Sequence, residues 1–516
     1  MKNKIIGILL KYPIIFYSIY FVYILRPAFK NLYPKELDFL INGFSGILLI
    51  WGLIIIIYNM RIRGNIYTKK NILFIVGWIL ASILSSLSNY KYITISSAKT
   101  TLLTIFSIIV FLPAYTILKE KYSKLEMFKY IFYPVFISKF IIDTISVILY
   151  LGNISIFLIK GNALSLFGLR YVFISKGKYT PLLYGLYDDP NFLAMIDTTL
   201  IFTAIYILIL GYKKINTFEK VLIGIFIVIE FITVALCNSR GTLYSIIFIA
   251  GLAMILAIKK DYIINKSKGI KILKSLGKLK TVKLLVALLV LIGSYYGIQK
   301  TSAMIFSKAD YKRYVLINNE NLVRISESEL NYVDEVKKNE RWIGEYKPIS
   351  DDLYGDENGE YSENPVIETL KEDTGKDIGN GRVKIWKEAF NLFLKKPIFG
   401  ISPKAQMNVA RANYSEVEFP FMTKGKSIHN SYMATILYYG LFGSVILLVW
   451  LSFTMIPIVK DEFKNRYLRE SVLLFSVLFI FAVSFFLEAI FLNNYYEQTY
   501  LMFIIGFLTT EYSKVR

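Results

Sequence analysis

Cysteine and histidine are almost missing from this chain: each occurs once in 516 residues. A lone cysteine, Cys237, excludes an intramolecular disulfide and any thiolate metal cluster. Its place at the end of an apolar run marks it as a packing residue. A lone histidine, His429, puts the side chain that titrates nearest neutral pH at a single address. Charge is scarce as well, at 19%, whereas hydrophobic residues reach 55% and mean hydropathy is +0.49. Those values exclude an ordinary soluble protein of this length. Internal repeats and low-complexity tracts are absent, and no small-residue cleavage site follows the first apolar run, which Lys11 and Pro13 interrupt, so it reads as a span rather than a signal peptide.

What is present is a series of apolar runs of about 20 residues, enough to cross the hydrocarbon core as helices. The hydropathy predicts twelve, at roughly 5–25, 39–59, 71–88, 101–118, 129–151, 192–210, 221–237, 242–258, 282–298, 431–459, 471–490 and 496–512. The expected fold is therefore all-α, a polytopic membrane protein with a large external helical loop. The net charge of +22 is a topology signal and gives no reason to expect nucleic acid. Alternate loops carry Arg61, Arg63, Lys69 and Lys70, then Lys119, Lys121 and Lys124, then Lys213, Lys214 and Lys220. The lysine-dense linker 259–280 and the loop with Lys460, Lys464, Arg466 and Arg469 fall on the same side. By the positive-inside rule that side is cytoplasmic, and both termini face it.

The expected organisation is helices one to nine over 1–298, an external subdomain over 299–428, and helices ten to twelve over 429–516. A shorter external segment near 152–191 holds Arg170, Lys176, Lys178 and an apolar stretch, 154–159, expected to lie along the interface or dip back into the protein. The longer segment is too long for a structureless loop and should form a small helical subdomain. Within it, 351–376 is rich in Asp, Glu, Gly and Asn and reads as a solvated flap. After the flap, an amphipathic helix starts near Arg382, with Ile385, Trp386, Ala389, Phe390 and Phe393 on one face, and ends at Pro397 and Gly400. Such a helix suits the bilayer surface or packing on the bundle.

Four motifs converge on the external face by this topology. Asp188-Asp189-Pro190-Asn191 precedes the sixth span, with Pro190 at a first helical position behind an Asp cap. Asn238-Ser239-Arg240-Gly241 makes a tight hairpin, and the eighth span begins at or just after Arg240. Gly381-Arg382 opens the surface helix, and His429-Asn430 opens the tenth span, nine residues before Gly440-Leu441-Phe442-Gly443. Three helix N-termini there carry unpaired N–H groups and a partial positive charge. With Arg240, Arg382 and Arg170 they make a site for an anion, best a lipid-linked phosphate, which the planar guanidinium grips at two points. His429 is the candidate general base. Asp188 and Asp189 are either a competing base pair or helix caps. Taken singly, Arg240 reads equally well as a snorkelling interfacial arginine, and His429 as a helix-capping polar residue.

The order N-S-R-G in a short hairpin, G-R-x-x-x-W in a large external loop, then H-N-x9-G-x-x-G entering a span resembles the O-antigen ligase and polysaccharide repeat-unit polymerase family, the Wzy group. Gly185–Asn191 resembles a segment that family carries ahead of a span, so the resemblance runs from about Arg170 onward. It implies a GT-C-like membrane glycosyltransferase architecture in a bacterial cytoplasmic (inner) membrane. It further implies metal-independent, cofactor-free, inverting glycosyl transfer at the external face, from an oligosaccharide on undecaprenyl pyrophosphate. The implied catalytic residues are Arg240, Arg382 and His429. Arg170, Asp188, Asp189, Asn191, Asn238, Ser239 and Asn430 are candidates to bind pyrophosphate or sugar. The acceptor is another lipid-linked repeat unit in a polymerase, or a lipid A core in a ligase. A chain-length regulator and a flippase are the expected protein partners. Richness in Ile, Lys and Asn suggests an AT-rich genome, common in bacteria without an outer membrane, and tips the expectation toward a polymerase for capsular or other surface polysaccharide.

Ionisable residues also fall inside the spans. Lys139 and Asp143 are four apart on one helix face and neutralise one another most simply; Glu230 is deep in the seventh span, and Asp197 and Glu488 lie nearer the external ends of theirs. In a flippase or other secondary transporter such residues would be ion or proton sites. Inverted repeats and paired broken helices, which transporters often show, are not visible in the sequence.

Overall fold

A computed structural model describes residues 12–25, 38–160, 163–175, 178–183, 190–267, 280–306, 312–317, 321–325, 382–415, 417–424, 427–464, 470–487 and 495–513. In chain order the helices are α1 (Pro13–Tyr23), α2 (Asp38–Arg63), α3 (Lys69–Leu87), α4 (Ile95–Phe111), α5 (Ala114–Leu118), α6 (Lys124–Leu151), α7 (Pro190–Gly211), α8 (Thr217–Cys237), α9 (Arg240–Ser267) and α10 (Lys280–Phe306). After them come α11 (Arg382–Lys395), α12 (Gln406–Asn413), α13 (Pro420–Thr423), α14 (Ser431–Lys464), α15 (Ser471–Val483) and α16 (Tyr495–Ser513). Among the described residues seven helices are long and apolar enough to cross a membrane: α2, α3, α4 continued by α5, α6, α7, α8 and α14. The other five expected spans coincide with α1, α9, α10, α15 and α16, of which α1, the Arg240–Ile255 part of α9, and α15 are apolar but shorter.

Local chemistry sets where these helices begin. Thr68 accepts the Asn71 amide at 3.2 Å ahead of α3, and Asn216 accepts the Glu219 amide at 2.8 Å ahead of α8. Ser123 and Glu126 form a reciprocal capping box at the start of α6. The core is aromatic: Phe16, Tyr17, Tyr20, Phe21, Phe111, Phe132 and Phe503 are all buried. The last helix, α16, is central, with Leu501 to Ile505 buried in an unbroken run, whereas α2 turns Phe39, Ile47, Ile50 and Ile57 outward, as a lipid-facing helix does.

The all-α expectation holds for the membrane body. At one end of the bundle there is also a five-stranded sheet, in the order β3-β2-β1-β4-β5. Its strands are β1 (Ile154–Lys160), β2 (Ala163–Ser175), β3 (Lys178–Leu183), β4 (Lys312–Ile317) and β5 (Asn321–Ile325). The first three are antiparallel neighbours, β4 and β5 form an antiparallel pair, and β1 joins the two groups by parallel pairing with β4. The stretch 154–159, expected at the interface or dipping back, is thus a strand, and the longer segment contributes strands before its helices. These segments are rich in β-branched and aromatic residues, which favour a pleated surface. Short apolar runs beside a span do not disclose their type by periodicity. Beneath β3, a second cluster buries Tyr150, Leu183, Leu193, Leu236, Cys237 and Tyr295, so Cys237 does pack. The acidic stretch 351–376 and Glu488 lie outside the described residues.

Candidate functional site at the sheet end

The hairpin between α8 and α9 is set by three residues. Asn238 ends α8 in the left-handed conformation, at φ 49°, which Asn tolerates better than most side chains. Gln299 of α10 donates to its Oδ1 at 2.8 Å. Ser239 is buried and accepts the Thr242 amide at 3.4 Å, capping α9, while its hydroxyl donates to Asn191 Oδ1 at 2.8 Å. That bond joins the start of α7 to the start of α9. Arg240 is the first residue of α9 and is exposed. At Gly241 a Cβ would stand 2.8 Å from Phe486 Cβ, so the glycine admits close approach of the turn after α15.

That turn also holds the histidine segment. The closing residues of α15 leave carbonyls without partners in their own helix, and the start of α14 supplies them. Asn430 Nδ2 donates to Phe485 O at 3.2 Å, the Ser431 amide to Ser484 O at 2.8 Å, and the Ser431 hydroxyl to Leu487 O at 2.9 Å. Tyr432 adds a bond to Phe481 O at 2.6 Å. Asn430 also caps α14, its Oδ1 accepting the Met433 amide at 2.9 Å. His429 is half-buried between buried Ile428 and buried Asn430, and its own backbone is left-handed at φ 50°. A residue other than glycine in that region is strained and persists only where its surroundings impose it.

Arg382 opens α11 and is half-buried. One turn on, Trp386 Nε1 donates to Ile428 O at 2.8 Å, the carbonyl immediately before His429. Ile385, Ala389, Leu392 and Phe393 of α11 are buried, while Val383, Phe390 and Leu394 are exposed. The expected apolar face is therefore corrected at Phe390: the helix buries one apolar stripe against the bundle and leaves a second outward. Glu388 closes the underside, accepting the Phe421 and Met422 amides at 2.9 Å each. Burial pushes its carboxyl up from the ordinary range, against the pull of those two amides.

Four of the site segments are therefore contiguous through named contacts: Asn191 with Ser239, Gly241 with Phe486, Phe485 with Asn430, and Ile428 with Trp386. Arg170 lies on β2 opposite Leu182, next to the strand end that packs on the second cluster. Asp188 and Asp189 lie outside the described residues, although Pro190 does open α7. Asn191, Asn238, Ser239 and Asn430 are engaged in tying helix ends together.

The tenth span, expected as one continuous run, is broken. Gly440 has φ 64° and ψ −166°, and the loop 397–402 fills the gap. Leu441 N and Phe442 N donate to Pro397 O and Ile398 O at 2.8 and 3.0 Å, and Ile401 N and Ser402 N donate to Leu437 O and Tyr438 O at 2.9 and 3.0 Å. Gly400 is also left-handed, and a Cβ on it would lie 2.5 Å from Leu437 O. Asn89, just past α3, donates to Gly400 O at 2.9 Å and accepts from Lys396 at 2.7 Å. The motif glycine is thus a docking point for the chain that follows α11. Sequence reasoning missed this loop, the α15 turn and the Trp386 bond; the pairing of Gly400 with Gly440 was the one available signal.

The charged residues of the spans come together elsewhere in the bundle. Lys139 Nζ lies 2.7 Å from both Asp143 and Asp197, and the carboxylates of Asp143, Asp197 and Glu230 lie within 4.8 Å of one another. The expected two-residue pair is corrected to a quartet.

Residues 223–448 match the family model described as O-antigen ligase. No curated protein matches the chain. The matched region holds Asn238, Ser239, Arg240, Arg382, His429, Asn430 and Gly440, and stops short of α1 to α7. It marks the chain as an integral membrane protein of polysaccharide assembly.

Proposed function

We propose that this chain, with an O-antigen ligase-type domain set among its membrane helices, polymerises lipid-linked oligosaccharide repeat units for a surface polysaccharide. One observation carries the reading: the turn after α15 backs onto Gly241 beside Arg240 and, through its carbonyls, holds Asn430 and Ser431 beside His429. Two cation-bearing or base-bearing segments 189 residues apart in sequence thereby share one support. Arg382 joins through Trp386.

The sheet end is taken as the external face. Basic loops gather at the other end, where Arg63 meets Glu120, Lys124 meets Glu470, and Lys129 meets Glu219, in accord with a cytoplasmic basic side. The donor is an oligosaccharide on undecaprenyl pyrophosphate. An acceptor hydroxyl attacks the anomeric carbon from the face opposite the pyrophosphate; the new C–O bond forms as the bond to pyrophosphate breaks, with inversion. The hydroxyl proton passes to the His429 imidazole. The charge that grows on the departing pyrophosphate is met by Arg240 and Arg382, donors aimed at a developing anion.

The match to the O-antigen ligase family model supports a second reading, a ligase that delivers finished polymer to a lipid A core. Purified protein in vesicles, given only lipid-linked repeat units and no ion gradient, tests both. A ladder of longer lipid-linked chains is the expected result. No lengthening, with transfer to an added lipid A core, makes it a ligase; no transfer at all, with gradient-dependent movement of the donor across the bilayer, makes it a transporter. Comparing His429→Ala with Asp188→Ala and Asp189→Ala identifies the base: a fully active His429→Ala moves that role to the acids.

A further inference from the structure

Lys139, Asp143, Asp197 and Glu230 are all fully buried, from three helices: α6, α7 and α8. Lys139 is committed to both aspartates at 2.7 Å. Glu230 comes from the third helix, and no hydrogen-bond donor meets either of its oxygens. The polar groups it faces are the carboxylates of Asp143 and Asp197, within 4.8 Å, with the Lys139 ammonium beyond them. Carboxylates accept and do not donate when ionised. Three such groups and one ammonium, all ionised, would also leave two excess negative charges among fully buried side chains, a state buried charges do not sustain without compensation.

One proton acts on both problems, halving the excess charge and supplying the missing donor. A proton on Glu230 removes a charge and turns an acceptor-to-acceptor contact into a carboxyl–carboxylate hydrogen bond with Asp197. A metal ion fits less well, because the ammonium already occupies the side of the triangle from which it would draw two ligands. We propose that the quartet is an intramembrane proton-binding site, with Glu230 holding the proton at neutral pH while Asp143 and Asp197 share Lys139.

Its place gives the site a use. Asp197 is six residues along α7 from Asn191, and Glu230 eight residues before Asn238 on α8, about 9 and 12 Å at helical rise. The bound proton on Glu230 therefore ties together the helices whose ends carry the Asn191–Ser239 bond. The inference stands without the glycosyl-transfer reading, and its test does not use that chemistry.

Infrared difference spectra of the purified, lipid-reconstituted full chain at neutral pH should show the C=O stretch of a protonated carboxyl shielded from solvent. Glu230→Gln should abolish that signal and leave folded yield and melting temperature within a degree or two of the wild type, since the amide mimics the neutral acid in shape. Elemental analysis should find no stoichiometric sodium, magnesium, calcium, manganese or zinc. A band that survives Glu230→Gln, or no band in the wild type, overturns the proposal. So does about one equivalent of metal in the wild type that the variant lacks.

Discussion

The two ends of the bundle are held together by different means. At the basic end, helices are linked by side-chain ion pairs: Arg63 with Glu120 at 3.3 Å, Lys129 with Glu219 at 2.6 Å, and Lys124 with Glu470 and Glu511. At the sheet end, beside the side-chain bonds Ser239–Asn191 and Gln299–Asn238, most links run to backbone groups: the four carbonyls at the end of α15, the amides and carbonyls on either side of Gly440, and the carbonyl of Ile428. Long charged side chains hold position loosely, and partly exposed pairs contribute little. Peptide groups have fixed directions, and a bond to one sets geometry to a few tenths of an ångström. A reaction in which a misplacement of about 1 Å costs roughly a hundredfold in rate needs the second kind of joint.

The contrast can be broken most severely at Gly440. Gly440→Ala places a Cβ 2.3 Å from Ile398 O at a left-handed φ, so the 397–402 loop must leave the break. Loss of most folded protein from the membrane fraction is expected, whereas Gly224→Ala, with open space around it, leaves yield unchanged. Next in size, Arg240→Ala and Arg382→Ala should each lower polymer synthesis by about 10²–10³ at unchanged abundance; wild-type product from either removes its role at the pyrophosphate. Trp386→Phe keeps the ring but releases Ile428 O. It should cost about tenfold in kcat, the worth of roughly 1.4 kcal/mol, with KM unchanged; a purely structural tryptophan would instead lower the melting temperature and spare kcat. Smallest of all, Lys129→Ala at the basic end should leave activity intact and shift stability by under about 1 kcal/mol, read by thermal unfolding in detergent.

The spans were legible because hydropathy sums over about 20 residues, and local errors average out. The helix starts at Pro190 and Arg240 were legible too, being set by near neighbours, whereas the caps at Ser123 and Asn216 were not read. The break at Gly440 was hidden, since its replacement bonds come from residues about 40 positions earlier and glycine is ordinary in a membrane helix. The strands were hidden by apolar runs too short to show a period beside true spans. Lys139 and Asp143 announced themselves by their spacing of four, but Asp197 and Glu230 reach them only through packing. At the site, Arg240, Arg382 and His429 stood out by residue type. Of the residues that hold them in place, Trp386 stood out as a motif and face residue but not for its bond to the Ile428 carbonyl, and Phe485 did not stand out, because it acts through its own backbone.

The parallel pairing of β1 with β4 has a practical outcome for anyone exchanging parts between relatives. Ile154 to Ile159 are in register with Lys312 to Ile317, so two stretches of chain separated by the four helices α7 to α10 form a single platform. Grafting either stretch alone would leave a bare strand edge, which invites aggregation. Donor and host must trade both pieces at once for a chimera to keep its shape.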